Sequence, residues 1–527
     1  MAGRPQKEEK EKIVKKNLLL IALISSTCFS LSPASSHASA VDVGTAKQLF
    51  VDDHVVGSLE GAFRMLNQPV KHEGNPIIEL KPAQKVGSAD KVVVMGNVLY
   101  DEDEGLYKMW YDAANYDWRS VHLAYATSRD GIHWDLPNLG LLEYQGSKDN
   151  NFVFFDAGRG EVAAGVFKDP VAKDPQRLYK MIYHMHDSPG LGTSGNGIGV
   201  AFSPDGIHWT RAGDKPVIPM ADSPNSVLWD SRLGKYVAHT RVNPVYYPSD
   251  WARRKDLRDE LRPGPEGSFL RREVLQSESD DFLEWESRGG IMAADREDSP
   301  LNQQFYNMEF MPYGDLYFGF ISVYHTLPGM ETKITSGVPR MDTVDIQLTY
   351  SRDGRTWHRA GDRQVFLPLG RRADDFDRSM LFILQKPVVV KDEIWIYYIG
   401  FSGLHWAVNR KEAQGGAVGL ARLRLDGFVS IDAGDGVFTT QPLRMSGDRL
   451  ILNADASQGS IRVEILGEDG LPLEGFAAAD AVAVTGDSVR QNVRWKQGVL
   501  LSRLKGTPIV LRFHMDRSKL FSFRFSN

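Results

Sequence analysis

The chain has 527 residues, of which 42% are hydrophobic and 25% charged, so it is neither disordered nor collagen-like. A net charge of −6 excludes a nucleic-acid partner held by bulk electrostatics. A single cysteine, Cys28, excludes a disulfide framework and a multi-cysteine metal site.

The first element is a targeting segment. Arg4, Lys7, Lys10, Lys12, Lys15 and Lys16 precede an apolar run from Leu18 to Leu31, and small residues follow up to Ala38-Ser39-Ala40. This order of charge, apolar stretch and A-x-A pattern predicts a secretory signal peptide cut near Ala40, hence a secreted or periplasmic protein. Cys28 leaves with it, and Ser25-Ser26-Thr27 is a poor lipobox. No second run approaches the roughly 18 apolar residues of a membrane span, so no membrane partner is expected after cleavage.

Residues 41–436 are organised by a repeat. Ser128-Arg-Asp-Gly-Ile-His-Trp134 recurs as Ser203-Pro-Asp-Gly-Ile-His-Trp209 and Ser351-Arg-Asp-Gly-Arg-Thr-Trp357. Ser279-Asp-Asp-Phe-Leu-Glu-Trp285 is a degenerate copy, and Asp426-Gly427 marks a fifth, with spacings of 72–76 residues. An aromatic strand lies upstream of each copy, as in Leu106-Tyr-Lys-Met-Trp-Tyr111 and Leu178-Tyr-Lys-Met-Ile-Tyr183. Runs of aromatic and β-branched residues bounded by Asp/Gly turns are strands. In the repeated phrase Asp caps the turn amides, Gly supplies a left-handed conformation, and Trp starts the next strand and packs between sheets. Five such units predict an all-β, five-bladed β-propeller over 41–436. Gln48–Val56 precedes the first full unit and is expected to close the ring by pairing with the last.

Residues 437–527 carry short strands at close intervals, among them Ile461–Leu466 and Leu520–Phe525, with turns such as Gly467-Glu-Asp-Gly470. They predict a small C-terminal β-sandwich.

Phe167-Lys168-Asp169-Pro170 gives the repeat a relative: it is similar to the Arg-Asp-Pro motif that opens the second blade of glycoside hydrolase family 32 enzymes. With the Ser-x-Asp-Gly-x-x-Trp turns and the tail Leu425-Asp-Gly-Phe-Val429, the chain resembles the five-bladed propeller hydrolases of families 32 and 43, and exported bacterial family 32-like proteins. The resemblance implies a glycoside hydrolase acting on an oligo- or polysaccharide, with Asp169 as transition-state stabiliser or modulator of the acid. The family's Asn-Asp-Pro-Asn and Glu-Cys motifs are absent. That leaves two alternatives: a non-catalytic carbohydrate-binding propeller and a sialidase-like enzyme.

Glycoside hydrolysis needs one protonated and one ionised carboxyl group. In a propeller the innermost strands face the central cavity, so the acids just before each aromatic strand are candidates. They are Asp169, Asp222, Glu309 and, from the expected closing strand, Asp53. The apolar flanks of Glu309 suit a raised pKa and general-acid duty. Asp345 and Asp377 are candidate hydroxyl-binding groups, and Trp110, Tyr306, His325, His405 and Trp406 are candidate sugar platforms or hydrogen-bonders. The histidines lack HxxxH or HExxH spacing, so no metal site and no cofactor is expected, with a calcium ion at the ring centre left open. The mild acidity fits an uncharged or weakly charged substrate.

Overall fold

The computed structural model describes residues 39–79, 91–115, 121–155, 164–186, 196–242, 245–246, 269–270, 272–298, 303–325, 342–405, 416–496 and 498–527. The expected leader with Cys28 and the expected platform Trp406 lie outside the described residues. Apart from short 3-10 turns, every regular element among the described residues is a β-strand, as the periodicity predicts.

Five antiparallel units follow in chain order. Unit one is Lys91–Asp101, Leu106–Asn115, Val121–Ser128 and Phe152–Phe154. Unit two is Gly165–Lys168, Tyr179–His186 and Asn196–Ser203, edged by Thr210–Arg211 and Ile218–Pro219. Unit three is Asp222–Asp230, Lys235–Val242, Glu273–Ser279 and Glu286–Met292. Unit four is Gln303–Tyr313, Leu316–His325 and Thr343–Ser351, edged by His358–Arg359 and Val365–Leu367. Unit five is Met380–Ile383, Glu393–Phe401 and Ala417–Arg424, and a parallel pairing of Val344 with Met380 joins it to unit four. The second strands are buried on both faces: in Leu316–His325 only the last residue is half-buried. That is why they read as unbroken apolar and aromatic runs and not as alternation.

The repeated phrase makes the turn its residues predict. Ser128 Oγ accepts from the Gly131 amide at 2.8 Å, and Asp130 Oδ1 accepts from the Ile132 and His133 amides at 2.9 and 2.8 Å. The same bonds recur at Ser203/Asp205, Ser279/Asp281 and Ser351/Asp353. The fourth residue is left-handed in the four copies that begin with serine, with φ of 75° at Gly131, 80° at Gly206 and 72° at Gly354, whereas in the fifth copy the left-handed residue is Asp426, with φ of 62°. In the degenerate copy Phe282 takes this conformation with φ of 70°, a strain offset by burial of its ring among Phe167, Phe202 and Tyr236. Gly206 has a second constraint, since a Cβ there would stand 2.6 Å from the Trp110 ring.

Aromatic side chains link each unit to the next. Trp110 Nε1 donates to the Gly206 carbonyl at 2.6 Å, tying unit one to unit two. Phe167 meets Tyr236 at 6.2 Å between units two and three, and His239 meets Phe310 and Trp357 between three and four. Tyr306 meets Phe382 at 5.2 Å between four and five. The succession closes on itself: Tyr397 of unit five donates to the Gly131 carbonyl of unit one at 2.9 Å, and Trp395 stacks on Tyr107. Trp110 is therefore an inter-unit staple, fully buried, and not the sugar platform its type suggests.

The closing strand is not the expected one. Val70–Lys71 and Ile78–Glu79 pair with Ala417–Arg424 and complete unit five. Gln48–Leu49 and Val56–Leu66 instead join the C-terminal strands in a six-stranded sheet ordered Val56–Leu66, Val429–Thr440, Val510–Ser526, Arg449–Leu466 and Val484–Asn492, with Gln48–Leu49 on Val510–Ser526. Phe50 draws the segment there, meeting Phe438 at 5.3 Å and Phe523 at 6.1 Å. The expected boundary between residues 436 and 437 falls inside the strand Val429–Thr440. Val41–Asn527 makes one compact unit.

Candidate active site

The first and second strands of each unit are antiparallel, so the connection between them closes one end of the pair, here called the turn end, and the other end is open. The two ends carry different chemistry. At the turn end, Asp101 closes the first strand of unit one and accepts from Lys108 Nζ at 3.0 Å, Lys168 Nζ at 2.7 Å and the Tyr179 hydroxyl at 2.5 Å. Burial pushes its carboxyl up, but these three bonds outweigh burial and hold it well below the usual range. Asp169 repeats the device one unit later, accepting from Lys180 Nζ at 2.6 Å and the Tyr236 hydroxyl at 2.8 Å. In unit three, burial and the facing Asp230 carboxylate raise the Tyr317 phenol. Asp169 is thus buried and enclosed in a clamp that recurs from unit one to unit two.

The other predicted acids separate in the same way. Asp53 is 80% exposed in its side chain and pairs with Arg64, on the segment that joins the C-terminal sheet. Asp377 accepts from Lys71 Nζ at 2.5 Å and the Tyr398 hydroxyl at 2.8 Å, locking the closing strand onto unit five. Asp345 pairs with His325 Nε2 at 2.9 Å. His325 follows Tyr324 directly in one strand, so the two point to opposite faces, and the His325–Asp345 pair stands apart from the residues around Tyr324.

At the open end a polar cluster assembles around Asp222, the first residue of its strand. Its carboxylate takes a short ion pair from Arg241 Nη2 and lies 3.7 Å from His184 Nε2. Asp222 and Arg241 are cross-strand partners in register, so the pair is set by strand pairing. The Arg241 guanidinium stacks on the Tyr306 ring at 4.3 Å. The Tyr306 hydroxyl meets His405 Nε2 at 3.1 Å. Arg272 stacks on Tyr306 at 5.3 Å and on Tyr324 at 5.1 Å, and its Nη1 donates to Gln304 Oε1 at 2.7 Å. The Tyr324 hydroxyl donates to Asp342, whose carbonyl accepts from the His405 amide at 3.1 Å. Of the predicted residues, Asp222, Tyr306 and His405 come together here.

Charge and burial set the protonation states. Burial pushes the Asp222 carboxyl up, but the Arg241 charge, then His184 and the Arg241 hydrogen bond, hold it far below the usual carboxylate range. It stays ionised at neutral pH. Burial, aided by the Arg272 and Arg241 charges, pushes His405 down to about 3, so it is neutral. Glu309, on the strand of Tyr306, is pushed up to about 8 by burial despite hydrogen bonds from Ser226 and Asn307. Its Oε2 has no hydrogen-bond partner among the described residues. The expected raised pKa of Glu309 is therefore present, at a site only 3% exposed.

His184, Arg241, Arg272, Tyr324 and Asp342 were not singled out from sequence. A signal existed for the first two. Counting five residues on from the leading tyrosine of each second strand, Tyr107, Tyr179 and Tyr236 give Asp112, His184 and Arg241. All three are buried, at a position that is otherwise Ser322 or Gly400. Buried charge at one register of a repeat marks a site better than any single motif. Arg272 and Asp342 arrive from connections between strands, where no repeat applies.

Among the described residues no group of three or more His, Cys, Asp or Glu is placed to hold a metal ion, and no helix is long and apolar enough to cross a membrane. A cleft of about 840 Å³ lies elsewhere, between the closing strand and the C-terminal sheet, lined by Lys71, Arg422 and Arg424 among others. Its Arg424 is already paired with Asp487, and it holds none of the buried polar cluster.

No protein-family model matches the chain, and no curated protein matches it. Solved structures do. One described as a glycoside hydrolase is 14% identical with a TM-score of 0.44, over 68% of this chain and 92% of its own. An N-acetylgalactosamine deacetylase from F. plautii, solved with blood group B trisaccharide, is 14% identical with a TM-score of 0.42, over 70% and 97%. A glycosyl hydrolase from Bacteroides ovatus is 17% identical with a TM-score of 0.41, over 68% and 94%.

Proposed function

We propose that the protein is an exported glycoside hydrolase, and that a sugar binds and a glycosidic bond is cut at the cluster around Asp222. The observation that carries this reading is an ionised carboxylate at the open end of an inner strand, held by Arg241 beside the Tyr306 ring. In the architecture we propose, the five units are the blades of a β-propeller, closed by the strand pair after residue 69, and the six-stranded sheet curls into a β-sandwich. The closed succession of antiparallel units supports it. Export rests on the basic and apolar N-terminal pattern.

The chemistry follows from the protonation states. Asp222 stabilises the positive charge that develops at the anomeric carbon, a task that needs an ionised carboxylate. Glu309 holds its proton through neutral pH and gives it to the leaving oxygen, and water attacks the anomeric carbon, its hydroxyl ending on the sugar and its other proton restoring Glu309. Tyr306 offers an aromatic edge and a hydroxyl, and His405 a neutral hydrogen-bonding nitrogen. The test is turnover of a panel of oligo- and polysaccharides by the purified protein and by Asp222→Asn. Loss of turnover with glycan binding retained supports the reading, and equal turnover by both proteins overturns it.

A second reading is favoured by a specific observation. Asp169, Asp53 and Asp377 are all committed to ion pairs, and Glu309, whose carboxyl burial pushes up, is enclosed. In that reading the protein binds glycans without cutting them. Binding of a panel glycan with no turnover by the unmodified protein would select it.

A further inference from the structure

We infer that the protein has a second glycan-binding site, in the cleft between the closing strand and the C-terminal sheet, where Arg422 and Glu393 hold a neutral stretch of polysaccharide. The inference goes beyond the reaction proposed for the Asp222 cluster and rests on the same carbohydrate reading.

Strand register builds the site. Trp395, Arg422 and Val70 are cross-strand partners on three neighbouring strands, so their side chains share one face. Glu393 lies two residues before Trp395 in the same strand and joins that face. One indole fixes both charged groups. Its ring carries the Arg422 guanidinium at 4.6 Å, and its Nε1 donates to Glu393 Oε2 at 2.8 Å. Trp395 is itself held by stacking on Tyr107 of unit one. Arg422 Nε stands 4.0 Å from Glu393 Oε2, too far for a hydrogen bond. The two side chains remain 31% and 46% exposed, and both line the cleft of about 840 Å³. Other charges of this cleft are closed into tighter pairs: Lys71 with Asp377, Arg424 with Asp487, and Asp392 with Arg490.

This arrangement suits a sugar. A guanidinium fork and a carboxylate side by side match the donors and acceptors of neighbouring ring hydroxyls. Val70, 74% exposed beside Arg422, offers an apolar surface to ring C–H groups. One charge of each sign leaves no net charge to favour an anion. The volume falls within the roughly 300–1,000 Å³ of small-ligand sites and holds a short stretch of chain. Glu393 lies at the turn end of unit five, whereas Asp222 lies at the open end of unit three. The cleft therefore acts on polymers, by adding a second attachment, and takes no part in the reaction.

The test uses the full chain as Asp222→Asn, so that no substrate is consumed, in affinity gels containing soluble mannan, xylan, arabinan or galactan. At least one polymer should retard it. Adding Arg422→Ala or Glu393→Gln should weaken that binding roughly tenfold, the loss expected for a charged hydrogen-bonded contact. Arg422→Lys, which keeps the charge and the stem over Trp395, should recover only part of it, because the fork is gone. In the otherwise unmodified protein Arg422→Ala should leave turnover of the matching trisaccharide unchanged and raise the Michaelis constant for the polymer. Unchanged trisaccharide turnover also shows that the variant is folded. The inference fails if no polymer retards Asp222→Asn, if both added substitutions leave binding as tight, or if polygalacturonan binds more tightly than every neutral polymer. Turnover by the unmodified protein then keeps the proposed function standing. If no glycan of any kind is bound or cut, both fail.

Discussion

The two ends of the first and second strands make an instructive pair. At the turn end the same chemistry recurs from unit to unit: an aspartate closing one strand, a lysine on the next, and a tyrosine hydroxyl from the following unit, as in Asp101 with Tyr179 and Asp169 with Tyr236. At the open end the equivalent register reads Asp112, then His184, then Arg241. Identical chemistry repeated around a succession of units solves a problem every unit shares, namely docking on its neighbour. Different charges at one buried register break the repeat, and the site proposed above lies among them. The contrast separates architecture from function within a single repeat.

Four measurements would break or sharpen that contrast. The largest effect is expected at the open end: Asp222→Asn should lower turnover by about a hundredfold or more, the range for removing a group that stabilises charge in the transition state. At the turn end Asp169→Ala should leave the Michaelis constant unchanged but cost about 3–5 kcal/mol in denaturant unfolding, because Lys180 is stranded without its partner in the interior. Turnover loss from Asp169→Ala at full stability would reverse the assignment of the two ends.

Glu309 tests the interior between them. Its folded pKa, about 8, lies above the ordinary 4.5, so the folded state holds a proton that the unfolded chain has lost. Its contribution to stability is full below pH 4.5 and is lost as pH rises toward 8. Glu309→Gln should flatten that decline in a series of melting curves across this window. If Glu309 is the acid, the variant should also retain turnover of aryl glycosides with good leaving groups while losing natural substrates. The smallest effect belongs to Asp53→Ala, an exposed partner of Arg64, which should shift stability by no more than about 0.5 kcal/mol and leave activity alone.

Much of the fold was legible in the sequence, because the phrase from Ser128 to Trp134 carries its own mechanism. Asp and Ser cap local amides, and Gly takes the left-handed position, so the turn forms wherever the phrase occurs. Local chemistry of that kind needs no knowledge of distant residues. The closing strand was not legible in the same way. Gln48–Val56 reads as strand, but the sheet it joins is decided by Phe438 and Phe523, which lie far along the chain and pack on Phe50.

The site divides along the same line. Asp222, Tyr306 and His405 were recognisable as residue types near inner strands, and Asp169 was recognisable for a resemblance. Nothing local told Asp169 from Asp222. The difference is that Lys180 and Tyr236 enclose the first, whereas Arg241 and His184 hold the second at the end of a strand. The sequence by itself determined an all-β chain of repeated units with capped turns, since those features follow from propensity and hydrogen bonds within a few residues. Only the tertiary structure decided which strand completes the last unit, which aspartate is clamped and which faces the cluster, because burial and charge pairing depend on groups that strand pairing brings together from far apart.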